Sequence, residues 1–135
     1  MIKYTDTLNS ISPQNLLRFF AGWKNCPSPE THLEILKNSE YVVLAIDEET
    51  NNVIGFINAV SDKVLSAYIP LLEVLPEYQG KGIGQELVKR MLAKLEGYYM
   101  IDICCDESLQ KFYGKFGLKK YSSMILRNYS KQGGK

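Results

Sequence analysis

The feature that most constrains this chain is an apolar run that stops at Pro76. Behind it come the glycine-rich stretch Gln79-Gly80-Lys81-Gly82-Ile83-Gly84 and then Gln85-Glu86-Leu87-Val88-Lys89-Arg90-Met91-Leu92. Residues 68–74 read as a strand. After the glycines, Leu87, Val88, Met91, Leu92 and Leu95 recur at helical spacing. A strand that enters a helix through glycines offers unpaired backbone N–H groups and a positive helix end to an anion, most often a phosphate. Gly80, Gly82 and Gly84 allow close backbone approach, and Lys81 adds a positive charge. The stretch predicts a binding site for a phosphorylated ligand.

Two common phosphate loops fail against these residues. The P-loop needs Gly-Lys followed by Ser or Thr, with a glycine five residues before the Gly-Lys glycine, and none occurs. The dinucleotide fingerprint G-x-G-x-x-G would need a glycine where Gln85 stands. What remains is Q-x-x-G-x-G, with Gln79, Gly82 and Gly84 in the fixed positions. Downstream, residues 99–105 read as a buried strand, Asp106 as a helix cap, and residues 107–115 as a helix ending at Gly117. The end of that helix reads Phe112-Tyr113-Gly114-Lys115-Phe116-Gly117-Leu118.

The two motifs together resemble the GNAT superfamily of CoA-dependent N-acyltransferases. Q-x-x-G-x-G matches its pyrophosphate loop, and Phe112 to Leu118 is similar to its FYxxxGF signature, with Leu118 where phenylalanine is usual. The resemblance implies acetyl-CoA as co-substrate, a primary amine of a small molecule or peptide as acceptor, and no metal. It implies cofactor contacts from Leu72, Glu73 and Val74 on a strand that splays from its neighbour. Further contacts would come from Gln79, Gly80, Lys81, Gly82, Ile83, Gly84 and Gln85, and from Asp106 and Tyr113. Tyr113 matches a tyrosine that in many relatives donates a proton to the departing sulfur; its other reading is a core tyrosine with a hydroxyl at the surface. Asp106 matches a frequent asparagine near the cofactor and equally reads as a plain helix cap.

The general base stays open. Positions that carry it in several relatives fall on Tyr68 and Pro70. Glu73 is the only carboxylate on that strand, and burying it unpaired is costly. It is either a structurally paired group or a proton acceptor, with a water chain as the alternative base. His32, the only histidine, is expected at the surface of an outer helix, and Cys104 and Cys105 in the core. The acceptor pocket is expected around Phe19, Phe20, Trp23 and Tyr68, formed by the first two helices.

At 135 residues, 45% hydrophobic and 23% charged, the chain has the size and balance of one soluble domain. Residues 1–129 are expected to form it and 130–135 a disordered tail. A net charge of +1 argues against general nucleic-acid binding. The start lacks the apolar segment of a signal peptide, and no run is long enough to span a bilayer. Three cysteines, two of them adjacent, make no disulfide framework, which fits a reducing cytoplasm. A homodimer is compatible with all of this.

The expected order is a strand at residues 2–5, helices from Pro13 through Trp23 and from Pro29 through Leu36, then strands at 41–46, 53–60 and 64–74. The glycine-loop helix, the strand at 99–105, a helix and a last strand at 119–129 follow. That order gives an α/β three-layer fold, a mixed and mostly antiparallel sheet flanked by helices. Besides an acetyltransferase, the motifs admit a CoA-binding sensor without turnover and a nucleotide-phosphate binder.

Overall fold

The computed structural model describes residues 1–135. A five-stranded sheet runs in the order β1 (Ile2–Thr5), β2 (Tyr41–Asp47), β3 (Asn52–Ser61), β4 (Ser66–Val74), β5 (Met100–Ile103). All neighbours are antiparallel except β4 and β5, which are parallel. The helices are α1 (Pro29–Lys37), α2 (Ile83–Leu95) and α3 (Gln110–Gly114). No helix is long and apolar enough to cross a membrane.

β2 and β3 are buried along nearly their whole length, because helices cover both faces of the sheet. α2 turns Ile83, Leu87, Val88, Met91 and Leu95 inward. It packs so closely that a side chain at Gly55 on β3 would meet Leu87 Cδ1 at 3.2 Å. α1 is capped by the Ser28 hydroxyl, which accepts from the Thr31 N–H at 3.1 Å.

Four expectations need correction. The helix from Pro13 through Trp23 is only a turn at Pro13–Asn15, because Arg18 (φ 72°), Phe20 (φ 64°) and Gly22 (φ 84°) are left-handed. His32 is 1% exposed rather than on the surface, since it shares the inward face of α1 with Leu33 and Leu36. β5 is a half-exposed edge strand, which leaves Cys104 exposed and Cys105 only partly covered. Residues 119–128 form no strand, because no neighbouring strand pairs with them. The tail turns at Tyr129–Lys131, and Gln132 Oε1 accepts from the Asn25 N–H at 3.2 Å, so the end of the chain packs against the residues before α1.

Candidate active site

The glycine loop folds as its composition dictates. Gly80 (φ 78°) and Gly82 (φ 83°) take left-handed backbone that a side chain would strain. Gly82 is the N-cap of α2, whose first hydrogen bond runs from the Glu86 N–H to the Gly82 carbonyl at 3.1 Å. The N–H groups of Ile83, Gly84 and Gln85 therefore have no partner within the helix, and glycine supplies no capping side chain. Side chains brace the loop from below. Gln79 Nε2 donates to the Val74 carbonyl at 2.9 Å, and the Tyr78 hydroxyl donates to Asp47 Oδ2 at 2.6 Å. Lys81 Nζ lies 5.6 Å from the centre of the Tyr78 ring.

Beside the loop, β4 and β5 part. Their pairing ends at Ile69 and Ile103, and the next residue of β4, Pro70, has no N–H to continue the ladder. A register shift of β4 against β3 falls at the same level, opposite Ala59. Further on, the Leu75 N–H donates to Ile54 at 2.9 Å, and Glu73 pairs with Phe56. Antiparallel alternation then turns the N–H groups of Leu72 and Val74 away from β3, toward the gap.

Beyond the point where the strands part, a cleft of about 610 Å³ lies between the end of β4, the glycine loop and α3. Leu72, Glu73, Val74, Gln79, Gly80, Gly82, Ile83, Gly84, Gln85 and Tyr113 all line it. Lys81 is not in its wall. Tyr78, Leu109 and Phe112 are, and the sequence reading missed them. Phe112 had a signal, since it opens the second motif.

A second cleft, of about 410 Å³, lies on the far side of Leu72, Leu109 and Tyr113, which border both. Its wall includes Trp23, Cys105, Asp106, Ile125 and Arg127. Asp106 thus sits beside the second cleft, and its side chain makes no capping hydrogen bond. Tyr113 is 7% exposed, and burial pushes its hydroxyl up to about 12. It keeps its proton throughout the neutral range.

The expected acceptor residues separate. Trp23 is 40% exposed at the second cleft. Phe20 is only 4% exposed, packed on His32 with ring centroids 4.9 Å apart, and belongs to the core. Tyr68 is exposed on β4 and lines neither cleft. The Glu73 carboxylate is paired: Oε1 accepts from the Phe20 N–H at 2.8 Å and Oε2 from the Ala21 N–H at 3.2 Å. No group of three or more His, Cys, Asp and Glu side chains is placed to hold a metal.

The family profile described as acetyltransferase (GNAT) family matches residues 8–118, which include the glycine loop and Tyr113. This chain belongs to that family. It is 43% identical to a presumed acetyltransferase of Deinococcus radiodurans whose structure superimposes with a TM-score of 0.94, covering 98% of this chain and 92% of that one. A GNAT family acetyltransferase of Streptococcus pneumoniae is 28% identical with a TM-score of 0.76, covering 95% and 98%. The uncharacterized N-acetyltransferase ycf52 of Pyropia yezoensis is 27% identical over 103 residues, 73% of this chain. The chain spans 59% of that relative's length.

Proposed function

We propose that this protein moves an acetyl group from acetyl-CoA directly to a primary amine of a small molecule or peptide. The observation that carries the reading is that two clefts meet at one buried tyrosine, Tyr113, and that the first of them ends at a glycine-capped helix. Its free N–H groups and positive end suit a pyrophosphate. Apart from the adjoining residues of the chain, nothing lies within 4 Å of where a side chain at Gly80 or Gly82 would begin, so a ligand has room there. The part of the first cleft along Leu72 and Val74 suits an extended pantetheine arm.

The acceptor enters by the second cleft. Its nitrogen bonds to the thioester carbonyl carbon, the carbonyl oxygen gains negative charge, and the carbon–sulfur bond then breaks. The N–H groups of Leu72 and Val74 are placed to stabilise that oxygen. The amine proton leaves to solvent, while the Glu73 carboxylate holds the Phe20 and Ala21 N–H groups. The departing sulfur takes a hydrogen bond from Tyr113. A phenol at about 12 is a weaker acid than a thiol near 8.5, so full proton transfer is uphill and the final proton comes from water.

A thermal shift tests the ligand class. Acetyl-CoA and CoA should raise the melting temperature and ATP should not. Protection by ATP alone would turn the reading toward a nucleotide binder.

A further inference from the structure

Loop 18–23 adopts a backbone that its residues do not favour. Arg18 and Phe20 are both left-handed, and Phe20 is bulky. Each such residue is strained and persists only where its surroundings hold it. Two groups do so here. The Phe20 ring sits on His32 and Phe56, with ring centroids 4.9 and 6.2 Å away. The Glu73 carboxylate takes both the Phe20 and the Ala21 N–H groups.

Trp23 follows directly from this anchor. Its N–H donates to the Phe20 carbonyl at 3.1 Å, and its ring lies 4.9 Å from that of Phe20. The wall that Trp23 gives the second cleft therefore hangs on backbone held by Glu73. The same glutamate stands between Leu72 and Val74, which line the first cleft. One side chain joins the two walls. The exposed Arg18–Glu77 ion pair, at 2.6 Å, is a second link to the loop, and solvent leaves it little strength.

We propose that Glu73 is a positioning residue that, through the Phe20 and Ala21 N–H groups, holds Trp23 in place as a wall of the acceptor cleft. Its effect on turnover rests on the acetyl-transfer reading above; its effect on the loop does not.

Trp23 is the only tryptophan, so its fluorescence reads the loop alone. In the free protein, Glu73→Gln and Glu73→Ala should red-shift its emission and increase acrylamide quenching. Glu77→Gln should change neither. With acetyl-CoA and an accepted amine, KM for the amine should rise roughly 10- to 100-fold in Glu73→Gln, the loss of a charge-assisted hydrogen bond. KM for acetyl-CoA should rise less than KM for the amine, since the glycine loop that holds its phosphates is untouched. Unchanged emission and quenching in Glu73→Gln would overturn the proposal, and a fall in kcat without any change at Trp23 would mark Glu73 as the base instead. If Glu73→Ala does not fold, Glu73→Gln, close in size and shape, still gives the reading. A parent protein inactive on every amine would sink acetyl transfer and leave the fluorescence result to judge the loop anchor.

Discussion

His32 and Phe56 meet edge to face with ring centroids 4.4 Å apart, and neither imidazole nitrogen has a hydrogen-bond partner. Phe19 and Phe20 close the other sides, at 5.3 and 4.9 Å. Burial lowers the imidazole to about 4. The unfolded chain, with histidine near 6.5, binds the extra proton more readily than the folded one, so stability rises with pH between these values. It is fully present above about 6.5 and is lost as pH falls toward 4. At pH 5 the loss should be about 2 kcal/mol relative to pH 7. His32→Leu should remove this component. Urea melts of both proteins at the two pH values would check it, and equal acid sensitivity would contradict it.

A second prediction concerns the helix start. Gly82→Asp places a side chain on left-handed backbone and a negative charge among the free N–H groups of α2. Affinity for CoA should fall at least 100-fold, about 3 kcal/mol, with the fold kept. Calorimetric titration giving parental affinity would remove the loop from the binding site.

Tyr113→Phe keeps the ring and its packing and removes the donor. Turnover should fall about 10- to 100-fold, the value of a hydrogen bond to a charged sulfur. Acetyl-CoA binding should change little. Because the hydroxyl stays protonated to about 12, the substitution should lower the pH–rate profile without altering its shape between pH 7 and 10. A loss of roughly 10³-fold or more would mean that the proton is transferred outright.

The parts legible in the sequence are those set by contiguous residues. Gln79 to Gly84 and Phe112 to Gly117 each carry their turn chemistry within a few positions, and the clefts form where they fall. Loop 18–23 was misread because Leu16, Phe19 and Phe20 stand at helical spacing, while Glu73, which holds the other conformation, is 53 residues from Phe20. His32 was misread because a polar residue in an apolar stripe reads as surface until its aromatic neighbours are known. Residues 119–129 have strand composition, but a strand needs a ladder partner and no local pattern supplies one. Tyr68 and Phe20 were placed by sequence neighbourhood, whereas the register of β4 and the turn at Phe20 direct them elsewhere.

Acetyl transfer itself is tested most directly by incubating the protein with acetyl-CoA and a panel of small and peptide amines, reading thiol release and product mass together. Thiol should appear at a rate that saturates in both acetyl-CoA and at least one amine, and that amine should gain a single acetyl group. Tight CoA binding with no amine-dependent thiol and no acetylated product across the panel would contradict the enzyme and leave a CoA-binding module.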